Sequence, residues 1–251
     1  MNMKHQFDSV IAGLTRTPWM PGSSRNDKGI RHTLRALALL LGYPDARLRE
    51  LLPQLPEAID AEDALPKARR AELRALVREL RRADALDAEA AYVELFDRGR
   101  ATSLHLFEHV HGDSRDRGPA MVDLTKTYEQ AGLLLGPHEL PDHLCVILEF
   151  ASTQPPAIAR EFLGEMAHIL NAIFSALRKR ESRYASAIAA VLELAGQKAE
   201  AVPVADDAPL DESWAEPEAF GGCSSQGQAA PGQPQPIQIV RKRAPTDGAH
   251  A

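Results

Sequence analysis

"SLHLFEHVHGDSRDRG" (residues 103–118) is the stretch on which the fold turns. It carries His105, His109 and His111, the carboxylate Glu108, and a charged run closed by glycine. His105-Leu106-Phe107-Glu108-His109 fits H-x-x-E-H, a zinc-peptidase pattern in which two histidines bind the metal and the glutamate is the general base. Such an open catalytic site needs a third protein ligand, and these peptidases build it on a mixed α/β scaffold. On a helix advancing about 100° per residue, Leu104, Leu106, Phe107 and Val110 fill one half of the wheel. His105, Glu108, His109 and Gly112 fill the other. His111 falls on the apolar side, so a straight helix cannot bring all three histidines to one metal. Glu181 and Glu193 are candidate third ligands only by their distance along the chain. Gly112 is the expected helix stop, and Asp113, Arg115, Asp116 and Arg117 read as a charged loop before the next helix.

Working outward, helical periodicity dominates. Leu34, Leu37, Ala38 and Leu41 make a stripe from about Ile30, stopped by Gly42 and Pro44. A short helix spans about 46–52. A third starts near Pro66, with Leu73, Leu76, Val77 and Leu80 inward and Arg69, Arg70, Arg74, Arg78 and Arg81 off the stripe, read as a solvated face. A fourth covers about 87–96, with Gly99 as its left-handed cap. Pro119 opens a helix carrying Met121, Leu124, Tyr128 and Leu135. "PDHLCVILEFA" (141–151) is apolar nearly all round, so it is expected at the centre of the core. One long helix follows Pro155-Pro156, striped by Ile158, Phe162, Met166, Ile169, Ile173 and Leu177. A last one runs over about 184–194 to Gly196. No strand with a partner precedes the tail. The expectation is an all-α, single-domain helical bundle over 30–196.

The ends differ in character. Residues 1–29 are rich in turn formers and read as a flexible extension. From Gln197 the character changes: acids from Glu200 to Glu218 without an intervening Lys or Arg give way to "GGCSSQGQAAPGQPQP" (221–236), which has almost nothing to bury, and the segment reads as disordered.

Composition removes several functions. With 44% hydrophobic residues a core can be buried, and a formal net charge of -6 does not suit a phosphate-binding surface, so no nucleic-acid role is expected. Two cysteines, Cys145 and Cys223, suggest neither a disulfide framework nor a four-ligand zinc site. No run approaches the ~20 apolar residues of a membrane span, and Lys4 and Arg16 are not followed by a signal-peptide core. The expectation is a cytoplasmic chain, neither exported nor inserted in a membrane.

"YVELFDRGRATSLHLFEHVHGDSRDRGPAMVDL" (92–124), continued by "LPDHLCVILEF" (140–150), closely resembles the signature of the respiratory nitrate reductase molybdenum cofactor assembly chaperones, the delta-subunit or NarJ-type family. These lie within the wider TorD-like redox-enzyme maturation chaperones, and the resemblance covers roughly residues 30–195. It implies an all-helical protein without catalytic activity or cofactor of its own. Such a protein binds the apo catalytic alpha subunit of nitrate reductase through that subunit's N-terminal segment. It supports molybdenum cofactor insertion and delays membrane docking, and molybdenum cofactor biosynthesis proteins are further partners. Matched positions then supply a client site. Tyr92, Leu95, Phe96, Leu106 and Phe107 would shape an apolar groove, and Glu94, Glu108, Asp113, Asp116 and Asp123 would give negative potential. His105, His109, Arg115 and Arg117 would fix the rim, and Pro141, Asp142 and His143 a helix entrance. Residues 1–29 have no counterpart in the family pattern. The rival reading is a zinc metallopeptidase on His105, Glu108 and His109.

Overall fold

Several helices here begin where a side chain accepts a backbone amide that the helix leaves over. The computed structural model describes residues 29–112 and 114–203. Helix α1 (Arg31–Leu40) buries Thr33, Leu34, Leu37 and Leu40. Its N-terminus is closed by a distant residue: Glu62 Oε2 accepts both the Thr33 amide and the Thr33 hydroxyl at 2.9 Å. Helix α2 (Ala46–Leu51) is capped by Asp45, which accepts the Leu48 amide at 2.8 Å. Helix α3 (Leu55–Asp60) was not expected from the sequence. The preceding Pro53 reads as a stop, yet Pro56 sits in the first turn, where a missing N–H costs nothing.

Helix α4 (Lys67–Arg82) turns Leu73, Leu76, Val77 and Leu80 inward as the stripe predicts. Part of its arginine face is paired: Arg69 with Glu193 at 3.0 Å, Arg70 with Asp63 at 2.7 Å, and Arg74 with Asp60. Helix α5 (Ala85–Tyr92) continues into a π turn over Val93–Asp97, closed by Arg98 N donating to Val93 O at 3.1 Å. Gly99 is not the left-handed cap expected, because its φ is -99°. It is small for another reason: a Cβ there would strike Thr102 Oγ1 and the Arg180 guanidinium.

Helix α6 (Leu106–His111) is shorter than the wheel assumed. His105 is extended and forms an isolated antiparallel bridge with His143. Helix α7 (Arg117–Gln130) and helix α8 (Leu144–Thr153) follow. The long helix expected after Pro155-Pro156 is two, α9 (Pro156–Glu165) and α10 (Ala167–Lys179), meeting at Met166 (φ -88°, ψ 0°). The apolar stripe continues across the joint, so periodicity alone cannot reveal it.

Helix α11 (Ala185–Leu194), not α8, is the element buried nearly all round; only Glu193 breaks its run of buried residues. It lies against α10 and α4, and its alanines let these neighbours approach. Helix α1 packs along α8. Residues 197–203, expected to be disordered, pack back on α10: Glu200 N donates to Asn171 Oδ1 at 2.8 Å and Val202 N to Ser175 Oγ at 2.9 Å. The expectations for 1–28 and 204–251 lie outside the described residues.

Candidate functional site

The signature stretch folds around one aspartate. Asp142 is fully buried, so its charge needs partners. Its Oδ2 accepts the Phe107 amide at 3.2 Å, closing the first turn of α6, while its backbone oxygen accepts the Leu106 amide at 3.0 Å. The Arg117 guanidinium stands 3.6 Å from Oδ2, and His105 Nδ1 lies 3.4 Å from Oδ1. That carboxylate raises the His105 pKa above its ordinary value, against the opposing pull of burial.

The neighbours do related work. His143 caps α8, its Nδ1 accepting the Cys145 amide at 3.3 Å. Burial pushes its pKa down to about 4, helped by His105, whose ring centroid is 4.9 Å away. The Pro141 carbonyl accepts the buried Tyr128 hydroxyl at 2.8 Å. Glu108 accepts the Ser103 hydroxyl at 2.6 Å and a bond from Arg117 at 3.4 Å. His109 donates its Nε2 proton to the Ser103 carbonyl at 2.9 Å.

This arrangement is structural rather than hydrolytic. The two histidines of the H-x-x-E-H pattern do not share a helix face, because His105 lies outside α6. Their rings serve different partners, Asp142 and Ser103. Among the described residues no group of three His, Cys, Asp or Glu side chains is placed to hold a metal. His111 packs edge-on to Phe107 at 5.5 Å, on the apolar side as the wheel placed it.

The apolar members of the expected groove are core. Leu106 and Phe107 are fully buried, so in this conformation neither can meet a peptide. Tyr92 and Phe96 join Tyr184 in an aromatic cluster, with the Tyr92 hydroxyl bonded to Leu41 O at 2.8 Å. Leu95 is half-buried against the same core. Glu94 and Asp123 are exposed, but Arg98 and Lys126 offset them at 2.9 and 3.3 Å. Arg115 and Asp116 are exposed on the turn before α7. Asp113 lies outside the described residues.

An accessible pocket of mixed polar and apolar lining lies beside this node. A pocket of about 260 Å³ opens between α1, the end of α7 and α8. Tyr128, Leu133, Leu134, Leu135, Val146 and Phe150 line it, with Arg31, Arg35, Glu139 and Glu149 at the rim. Leu134 is 85% exposed, and Leu140 and Val122 are exposed as well. Tyr128 joins pocket to node: its ring lies 4.7 Å from Phe150 and its hydroxyl holds Pro141. The sequence offered a signal that its reading passed over. "GLLLG" (132–136) places three leucines in a turn segment, where polar residues are the rule.

The described chain is helical and organised by a buried polar node beside an open pocket. Residues 62–190 match the nitrate reductase delta subunit family. NarJ of Escherichia coli (strain K12), a nitrate reductase molybdenum cofactor assembly chaperone, is 49% identical over 187 residues, covering 70% of this chain and 79% of NarJ. NarW of the same strain is 44% identical over 165 residues, 65% of this chain and 68% of NarW. A crystal structure described as a candidate redox enzyme maturation protein from Archaeoglobus fulgidus covers 72% of this chain and 99% of its own at 20% identity, with a TM-score of 0.48. The chain belongs to the nitrate reductase delta subunit family. NarJ and NarW are named as nitrate reductase molybdenum cofactor assembly chaperones, not as catalysts. Among the described residues no helix is long and apolar enough to cross a membrane.

Proposed function

We propose that this protein is a cytoplasmic chaperone for respiratory nitrate reductase. It binds the apo catalytic alpha subunit by that subunit's N-terminal segment and holds it open for molybdenum cofactor insertion. It delays membrane docking until the cofactor is in place. The observation that carries the binding site is the exposed Leu134 beside the pocket at Tyr128, Val146 and Phe150. An amphipathic client helix would seat one apolar side chain there, the helix-in-groove mode. The rim carries two arginines and two glutamates, so apolar fit rather than net charge sets the affinity. The zinc-peptidase reading finds no support in the separate placement of His105 and His109.

Capture from nitrate-respiring cells with the full chain as bait should return the alpha subunit. A peptide of that subunit's N-terminal segment, titrated calorimetrically, should bind. Leu134→Glu should weaken it roughly tenfold or more, as losing an apolar anchor does, and leave thermal unfolding unchanged because the side chain is already in water. An affinity untouched by Leu134→Glu would move the client site elsewhere.

A further inference from the structure

The pocket at Tyr128 has two unlike walls. On α1, Arg31 and Arg35 border it, both exposed and one helical turn apart, which sets them about 6 Å from each other along the axis. Among the described residues neither has an ion-pair partner. Glu62, the acid bonded to this end of α1, is taken up by the Thr33 amide and hydroxyl. The facing wall is acidic. Val146, Glu149 and Phe150, spaced to share a face of α8, line the pocket, and Glu149 is exposed without an ion pair among the described residues. Glu139, on the 131–140 segment, is held in place by accepting the Gly136 amide at 2.8 Å.

These charges cancel in sum but not in position. The α1 side is positive and the opposite side negative, so a field runs across the pocket. A helix lying with its apolar stripe in the pocket presents one flank to each wall. Acids toward the arginines and bases toward Glu149 are attracted, whereas the exchanged placement sets like charges together. Turning a helix end for end exchanges its flanks. The charges across the pocket therefore bear on chain direction, which an apolar stripe alone leaves open.

Resting on the reading of this pocket as the client site, we propose that Arg31, Arg35 and Glu149 decide which way round the client helix lies. The segment they select carries acids about four residues apart on one flank of its apolar stripe and bases on the other. The contacts lie at the rim, so they set specificity and orientation while the apolar anchor sets most of the affinity.

The test titrates synthetic helical peptides with one shared apolar stripe into the full chain. In about 50 mM salt, a peptide with glutamates on one flank and lysines on the other should bind roughly two- to fivefold more tightly than one with lysines on both or glutamates on both, the range of exposed ion pairs. About 0.5 M salt should bring the three affinities together. Arg31→Glu with Arg35→Glu should make the all-lysine peptide the tightest and leave the unfolding midpoint unchanged, because both side chains are exposed. A nitroxide on the N-terminus of the mixed peptide should broaden amide NMR signals at one end of the pocket, and at the other end when the two flanks are exchanged. Equal affinities for the three peptides at low salt, or one direction for both flank arrangements, would overturn the proposal and leave the pocket as the client site. Binding by none of the three would overturn both.

Discussion

Asp142 shows what one residue can hold. Its carboxylate closes the first turn of α6 and faces Arg117 and His105 from a fully buried position. Asp142→Ala strands the Phe107 amide and leaves Arg117 without one of its acids. The expected cost is about 3 kcal/mol, read from urea unfolding, since breaking a buried charge pair leaves the other member uncompensated; a loss under about 1 kcal/mol would show the node to be ornamental. His143 makes a second test. Its ring is neutral in the fold down to about 4, whereas the unfolded chain takes up a proton near ~6.5. Between those values the unfolded state binds more protons, so stability falls as the pH drops, by at most about 1.4 kcal/mol per unit. His105 works the other way: its pKa is raised, so its contribution is complete below ~6.5 and lost as the pH rises through its folded value. His143→Asn keeps a capping acceptor and removes the titration. On going from pH 7 to 5.5 the unfolding midpoint should fall less, or rise more, in that variant than in the parent; an equal change would mean that the His143 ring does not titrate with folding. None of this node could be read from the wheel, which placed His105 and His109 toward solvent. The bond to Asp142 crosses from a residue 37 positions away, and periodicity reports only neighbours three or four apart.

At the scale of elements, stripes were legible wherever a single face is buried. Leu34 and Leu37 in α1, and Leu73, Leu76, Val77 and Leu80 in α4, are inside as their spacing requires. The failures have physical causes. α3 was hidden because a proline can open a helix as well as end one. The break at Met166 was hidden because its stripe runs on. α8 was taken for the central helix because its aliphatic run is dense, yet Glu149 lies on its exposed side. α11 is more deeply buried with an alanine-rich sequence of similar hydrophobicity, since small side chains suit tight helix contacts. α6 ends at Gly112, which has φ 51° and ψ -129°. That backbone region favours glycine strongly, so Gly112→Ala should cost about 1–2 kcal/mol in thermal or urea unfolding. A neutral result would show that the turn relaxes to an ordinary conformation.

For the whole molecule, the question is where the folded unit stops. The acidic composition from 197 onward suggested an early boundary, but Glu200 and Val202 are bonded to α10 and Ala199 packs against the core. A chain of residues 29–203 should unfold near the temperature of the full protein. One of 29–196 should unfold several degrees lower, since each ~1 kcal/mol moves a domain of this size by about 2–4 °C. Equal midpoints for the two would make the 197–203 contacts energetically silent. The family was legible because its signature is long and contains the node residues themselves. The pocket was not, because it is assembled from α1, α7, the 131–140 segment and α8, which no local pattern joins.

The pairing of α1 with α8 has a consequence for how the protein is made. The partner of the first described helix comes more than a hundred residues later, and Glu62, which closes its start, comes 29 residues after Thr33. A ribosome adding roughly 5–20 residues per second exposes the leucines of α1 for on the order of 10 s before α8 emerges. During its own synthesis this chain is thus, for some seconds, an unfinished chain with an uncovered apolar helix.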